Sequence, residues 1–123
     1  MYCRNMTDSE LKQLYKMKKL ISCGKRKFVK RKDRDHIQDL LDIGISEEQA
    51  WEEVKSLSKA DYWYDDKNAY IFDNDKALVF KKIINDVLTY IKLKIEKDKN
   101  GEITVCLSFH RDYKRMEEYN NEM

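Results

Sequence analysis

Residues 89–95 and 103–110 each alternate apolar and polar side chains, which is the period of a half-buried β-strand. The odd-numbered positions form one apolar face: Ile91, Leu93, Ile95, Ile103, Val105, Leu107 and Phe109. The opposite face carries polar and aromatic groups: Tyr90, Lys92, Lys94, Cys106, Ser108 and His110. Between the two runs, residues 99–101 fit a three-residue hairpin loop with Gly101 in the left-handed position.

This loop sets the pairing of the two strands. With Asp98 opposite Glu102, the core pairs are Ile95 with Val105, Leu93 with Leu107 and Ile91 with Phe109. The polar pairs are Lys94 with Cys106, Lys92 with Ser108 and Tyr90 with His110. A slip by one residue would place apolar side chains opposite polar ones, so the buried face itself favours this register.

A third strand is predicted from Ala77 to Ile84, with a tight turn at Asn85 and Asp86. A two-residue turn places Phe80 opposite Ile91 in the core and Lys81 opposite Tyr90 on the polar face. The three strands then bring four side chains together on that face: Lys81, Tyr90, Lys92 and His110.

Three helices are predicted ahead of these strands. Capping boxes at Thr7 and Ser46 start the first and third helices, and Asp33 starts the second. Gly24 and Gly44 end the first two. The predicted inward residues are Leu11, Leu14, Tyr15, Met17 and Ile21, then Ile37, Leu40 and Leu41, then Ala50, Trp51, Val54 and Leu57.

This order of elements predicts a single α+β domain over residues 1–123, with N-terminal helices packed on one face of a C-terminal antiparallel sheet. Residues 25–32 are interpreted as an extended connection or short strand. Residues 58–76 are irregular, and the aromatic cluster at 62–64 fits either base stacking or a lid over the core.

Composition narrows the class of protein. Charged residues make up 39% of the chain, yet two tryptophans and eight tyrosines argue against disorder. There is no apolar run near the ~20 residues that a membrane helix needs, and residues 1–5 lack the apolar core of a secretory signal. We therefore expect a cytoplasmic protein. Its three scattered cysteines are expected to be reduced thiols, with no metal or other cofactor.

Charge is unevenly distributed along the chain. Residues 1–32 contain eleven lysines and arginines against two acidic residues, whereas residues 33–75 contain four against thirteen. Such asymmetry suggests one surface that attracts a polyanion and another that suits a basic partner. The alternative is that the two halves neutralise each other in the fold.

The polar face carries groups that fit chemistry on RNA. Cleavage by the 2′-hydroxyl needs a base, cations for the phosphorane and an acid for the leaving oxygen. Histidine, with an unperturbed pKa of about 6.5, suits proton transfer at neutral pH, which points to His110. Tyr90 would orient the phosphate or donate a proton, and Lys81 and Lys92 would hold it. His36, in the first turn of a helix, is expected to have no neighbouring constellation of catalytic residues.

Several strings resemble the MqsR family of type II toxins: Leu78-Val79-Phe80-Lys81-Lys82, Tyr90-Ile91-Lys92-Leu93, Leu107-Ser108-Phe109-His110 and Leu41-Asp42-Ile43-Gly44-Ile45. The helix ending in residues 56–62 resembles the family as well, and the likeness spans about residues 14–111. It implies a RelE-like fold and cleavage of messenger RNA without a metal, free or ribosome-associated. It also implies inhibition by an antitoxin that binds DNA, expected to be a helix-turn-helix protein.

The resemblance matches the family tyrosine to Tyr90 and its lysine to Lys92. The family glutamine falls at Lys81, and two family lysines fall at His110 and Tyr64, so three positions depart from the pattern. Basic and aromatic residues elsewhere are expected to bind RNA: Lys25, Lys27, Lys30, Arg31, Tyr64, Lys82, Lys94 and Arg111.

A purely structural role and two other functions fit the same pattern. Lysines that alternate with apolar residues are also the ordinary solvent face of an antiparallel sheet, where they prevent edge aggregation. A non-catalytic RNA-binding module would use the same cations and rings. A protein-interaction module would dock a basic partner on the acidic segment 33–75.

Overall fold

The computed structural model describes residues 6–29, 35–63 and 77–112. The elements are α1 (Asp8–Ser22), β1 (Arg26–Phe28), α2 (His36–Ile43), α3 (Glu47–Lys55), a 3-10 turn (Lys59–Asp61), β2 (Leu78–Ile84), β3 (Val87–Asp98) and β4 (Gly101–Arg111). The helices lie on one face of a four-stranded mixed sheet, which confirms the α+β class. None of the helices within these ranges is long and apolar enough to cross a membrane.

Side-chain caps fix where the helices begin. Thr7 Oγ1 accepts from the Glu10 backbone N–H at 3.1 Å, and Glu10 accepts from the Thr7 N–H at 2.8 Å. Ser46 and Gln49 form the same reciprocal pair at α3. Both capping boxes were predicted. At α2 the cap is Asp35, while Asp33 lies outside the described residues.

The prediction of a wholly antiparallel sheet was wrong. The strand order is β1-β4-β3-β2, and β1 runs parallel to β4. The Thr104 N–H donates to the Lys25 carbonyl at 3.0 Å, and the Val29 N–H donates to the Cys106 carbonyl at 3.1 Å. Residues 26–28 of the segment that was interpreted as a connection or short strand thus form a strand, and this strand gives the β4 edge backbone partners that it would otherwise lack.

The β2–β3 hairpin follows the prediction. Phe80 pairs with Ile91, and Lys81 pairs with Tyr90. The turn residues Asn85 and Asp86 have φ of 50° and 65°, the left-handed values that a two-residue hairpin turn requires and that Asn and Asp tolerate. The Asn85 amide also donates to the Ile43 carbonyl at 3.0 Å, which ties this turn to α2.

The β3–β4 hairpin follows the prediction only in the half far from its loop. Tyr90 pairs with His110, Ile91 with Phe109 and Lys92 with Ser108. Beyond Lys92 the register shifts, and the observed pairs are Leu93 with Cys106, Lys94 with Val105 and Asp98 with Gly101. The predicted three-residue loop and its pairs Leu93–Leu107, Lys94–Cys106 and Ile95–Val105 were wrong.

The reason is a β-bulge, in which Leu107 is the extra residue between the pairs on either side. A bulge inverts the alternation beyond it. Cys106 and Thr104 therefore face the helices, and the Thr104 hydroxyl donates to the Met17 carbonyl at 3.0 Å. Val105, predicted for the core face, is turned to the opposite face.

The core lies between the helices and the sheet. Its buried members include Leu14, Met17, Ile21, Leu40, Trp51, Phe80, Ile91 and Phe109. Tyr15 and Leu41 were predicted to face inward but are 59% and 63% exposed, because the apolar stripe of each helix is narrower than the sequence suggests. Tyr62 is buried over this core and its hydroxyl donates to Glu10 at 2.8 Å, so it acts as a lid.

Candidate functional site

The face of the sheet opposite the helices, here called the outer face, carries Lys81, Tyr90, Lys92, Lys94, Ser108 and His110. Three strands position these side chains: β2 supplies Lys81, β3 supplies Tyr90 and the lysines after it, and β4 supplies His110. Strand pairing therefore brings together all four predicted catalytic residues.

Tyr90 and His110, which pair across β3 and β4, are in direct contact. Their rings are stacked, with centroids 5.4 Å apart and an angle of 17° between their planes. Both side chains are partly buried. Adjacent stacked rings on a cross-strand pair hold each other in orientation, because each restricts the rotamers of the other.

The tautomer of His110 follows from its backbone contact. Nδ1 lies 2.7 Å from the Arg111 carbonyl oxygen, which only accepts hydrogen bonds, so Nδ1 carries a proton and donates it. In the neutral ring Nε2 is then the unprotonated nitrogen. This is the arrangement that a general base requires.

The Lys81 ammonium contacts two side chains of the protein, those of Asp112 and Trp63. Its nitrogen lies 2.9 Å from Asp112 Oδ2, with side-chain exposures of 12% and 3%. It also lies 4.0 Å from the centroid of the Trp63 ring, a cation–π distance. A phosphate that approached this ammonium would share it with the Asp112 carboxylate.

Asp112 and Trp63 were missed as site residues. Asp112 follows His110 by two positions and therefore continues the alternation onto the outer face, where its backbone N–H donates to the Leu88 carbonyl at 2.9 Å. That alternation was the signal that could have identified it. Trp63 gave no such signal, because its place depends on backbone pairing of its N–H with the Val79 carbonyl at 2.8 Å.

The outer face is not an ordinary solvent face along its whole length. Val79 and Val105 on this face are 1% and 0% exposed, although neither belongs to the core beneath the helices. Tyr90, Lys92 and His110 lie among these buried positions and are partly buried themselves. Electrostatic interactions of these groups are therefore stronger than they would be in open water.

The predicted RNA-binding residues are scattered. Lys94 is on the outer face, 3.1 Å from Glu96, and Lys27 lies 3.8 Å from the same carboxylate. Lys25 is exposed at the start of β1. Lys82 and Arg111 are not on the outer face. Both pair with Thr89 of β3, so the three residues share the face that packs on the helices, and the Lys82 ammonium contacts Glu53 of α3 at 2.9 Å. Lys30, Arg31 and Tyr64 lie outside the described residues.

Cys106 has no part in this chemistry. It was predicted on the polar face, but the bulge turns it toward the helices, where it is buried. Burial raises the pKa of its thiol well above the ordinary value, so the thiol stays protonated and is not a nucleophile. Cys23 and Cys106 are both unpaired thiols.

His36, in contrast to the prediction, does have a constellation around it. Its Nε2 lies 2.6 Å from Glu47 Oε1, and its ring stacks on Phe28 with centroids 4.8 Å apart. The sequence concealed this cluster because its members come from β1, α2 and α3, and only the fold brings them together. Across the described ranges, no three His, Cys, Asp or Glu side chains converge in a way that could hold a metal ion.

Comparisons of the chain with family models, with curated proteins and with solved structures find no match.

Proposed function

We propose that this protein is an endoribonuclease, the toxin of a type II toxin–antitoxin system, which cleaves messenger RNA by attack of a 2′-hydroxyl on the adjacent phosphate. The observation that carries the proposal is the stacked Tyr90–His110 pair beside the Lys81 ammonium. The motifs that resemble the MqsR family support it, as does the helix-on-meander arrangement, for which we propose a RelE-like fold.

In this mechanism Nε2 of His110 removes the proton of the 2′-hydroxyl. Lys92, at the centre of β3, provides positive charge for the phosphorane, and Lys81 adds to it from β2. The Tyr90 phenol orients the phosphate or protonates the leaving 5′-oxygen. The products are a 2′,3′-cyclic phosphate or 3′-phosphate and a free 5′-hydroxyl. No step in this scheme uses a metal ion.

The resemblance adds a partner to this proposal. We expect a cytoplasmic antitoxin, a helix-turn-helix DNA-binding protein, to hold the enzyme inactive. The acidic residues of α2 and α3 are a surface for the basic part of such a partner.

Induced expression followed by mapping of RNA 5′ ends tests the proposal. The wild-type protein is expected to arrest growth and to produce new 5′-hydroxyl ends in messenger RNA. The His110→Ala and Tyr90→Phe variants are expected to fold, to accumulate and to produce neither effect. Normal growth and unchanged RNA ends with the wild-type protein would contradict the proposal.

A non-catalytic RNA-binding module is the second candidate, since partly buried cations and rings on a sheet also bind single strands. It predicts RNA binding that weakens steeply with salt but no new RNA ends. Titration of RNA at two salt concentrations, together with the mapping of ends, separates the two functions.

A further inference from the structure

A groove of about 330 Å³ lies beside β1, where the strand meets the start of α2 and of α3. Its floor is formed by three rings, those of Phe28, His36 and Trp51. Its rim carries Arg26, Glu47 and Glu48. These six residues are here called the aromatic groove. Its volume falls within the range of small-molecule sites in proteins.

The floor is a stack of rings. Phe28 lies between the other two, with its centroid 4.8 Å from that of His36 at 11° and 4.7 Å from that of Trp51 at 43°. The His36 side chain is 25% exposed, so the stack reaches the surface there. A planar ligand that packed on this ring would extend the stack.

The rim is paired but not saturated. Glu47 contacts His36 Nε2 through Oε1 at 2.6 Å, and Glu48 contacts the Arg26 guanidinium through Oε1 at 3.1 Å. The guanidinium carbon also lies 5.7 Å from the Trp51 ring centroid. Glu47 and Glu48 are 54% and 75% exposed, and within the described part of the chain their second oxygens accept no hydrogen bond. The groove thus offers carboxylate acceptors beside an aromatic floor.

Charge excludes a phosphate as the preferred occupant. The two carboxylates offset the cations of Arg26 and Lys27, and they repel an anion near the floor. A neutral, planar ligand with N–H donors satisfies both the rings and the carboxylates. Nucleobases are such ligands, and proteins that read single-stranded RNA stack them on aromatic side chains and bond their edges.

The groove lies close to the candidate site. A second, much smaller cavity is lined by Phe28 and His36 of the groove and also by Ser108 and His110 of β4. Residues that line one small cavity are near neighbours, so the groove is within reach of an extended RNA strand that has one phosphate at His110.

We propose that the aromatic groove binds a nucleobase of single-stranded RNA that flanks the bond cut at His110. This inference rests on the proposed function and adds to it a second contact that selects the base. Carboxylate acceptors favour bases with amino groups, and guanine presents two adjacent N–H donors to one carboxylate. Uracil presents a single imino N–H between two carbonyls. The expected order of affinity is guanine first, adenine and cytosine next, and uracil last.

Intrinsic fluorescence tests this proposal directly. The chain has two tryptophans, so in a Trp63→Phe background the signal comes from Trp51 alone. We expect saturable quenching by guanosine and weaker binding of uridine, both of which are neutral. Glu47→Gln in the same background is expected to weaken binding of guanosine about tenfold, since one carboxylate acceptor is lost.

Glu52→Gln is the matched control, because it makes the same charge change on α3 at a residue whose contact is with Lys55. Glu48→Gln provides a second groove variant. Equal affinities for the Glu47→Gln and Glu52→Gln proteins would overturn the proposal, as would equal affinities for all four nucleosides or no saturable quenching. Base-selective binding by a protein that produces no new RNA ends would support base binding in the aromatic groove and contradict the proposed nuclease activity. RNA cleavage by a protein that shows no base binding in the groove would contradict the groove proposal and leave the proposed nuclease activity intact.

Discussion

The two histidines of this chain stand in regions of opposite chemical character. His110 lies on the outer face, bonded through Nδ1 to a backbone carbonyl, stacked on a phenol and on the same face of the sheet as lysines of β2 and β3. His36 lies in the aromatic groove, bonded through Nε2 to a glutamate and stacked on a phenylalanine. The first region places an imidazole among lysines, whereas the second places an imidazole among aromatic rings and carboxylates.

The difference shows that the partner of a histidine matters more than its presence. A backbone carbonyl fixes which nitrogen of His110 is protonated, and in the proposed mechanism the other nitrogen accepts the proton of the 2′-hydroxyl. The glutamate occupies Nε2 of His36 and holds that ring as part of a floor. The first region therefore carries the residue types that the proposed cleavage needs, and the second carries those that the proposed base binding needs.

The largest expected effect separates these roles. His110→Ala should lower the single-turnover rate of RNA cleavage by about 10²–10⁴-fold, which is the usual contribution of a general base. His36→Ala should act mainly on the RNA concentration that gives half-maximal rate. Single-turnover kinetics over a range of protein concentrations measures both quantities. A rate loss in His36→Ala equal to that in His110→Ala would contradict the division of roles.

The next effect concerns the ion pair that borders the outer face. Asp112→Ala leaves the Lys81 ammonium without its carboxylate at a site where the two side chains are 12% and 3% exposed. We expect the free energy of unfolding to fall by about 3–5 kcal/mol. Chemical denaturation followed by circular dichroism measures this change.

A double variant sharpens that test. Lys81→Met with Asp112→Leu replaces both charges by apolar side chains and is expected to recover most of the lost stability, while RNA cleavage stays impaired. Lys16→Met is the surface control, since its pair with Glu102 is 53% and 30% exposed and is worth about 0–1 kcal/mol. Full cleavage by the double variant would exclude Lys81 from the mechanism.

The smallest effect concerns Cys106, which lines the small cavity that both His36 and His110 also line. Burial raises the pKa of this thiol, so above its ordinary value of 9.0 the unfolded chain releases a proton that the folded chain retains. The contribution of this thiol to the free energy of unfolding is therefore constant below pH 9.0. Above that pH the free energy of unfolding decreases, by at most about 1.4 kcal/mol per pH unit. Cys106→Ser should show a shallower fall between pH 8 and pH 10, and parallel curves would contradict this assignment.

The sequence predicted which residues meet at the Tyr90–His110 end of the outer face better than it predicted the rest of the sheet. Alternation and turn chemistry placed Lys81, Tyr90 and His110 together, because β2–β3 and the far half of β3–β4 obey a simple register. The bulge at Leu107 could not be predicted from the sequence pattern, since residues 89–95 and 103–110 alternate apolar and polar side chains without interruption. Asp112 was within reach of the same reasoning, two positions beyond His110.

The aromatic groove could not be predicted from the sequence. Phe28, His36 and Trp51 come from three elements, and their meeting depends on β1 pairing in parallel with β4. Parallel pairing of a three-residue strand leaves no periodic signal in a sequence. The exposed Ile37 and Leu41 have a similar cause, because an eight-residue helix buries only the residues that its neighbours cover.

The most direct measurement uses a short RNA that contains one mapped cleavage site, and the same RNA with a single 2′-deoxyribose 5′ to the cut bond. Purified wild-type protein, in the presence of a chelator, is expected to cut the first and not the second, and His110→Ala is expected to cut neither. Equal cutting of both substrates, or wild-type cutting by His110→Ala, would contradict transesterification by the Tyr90–His110 centre.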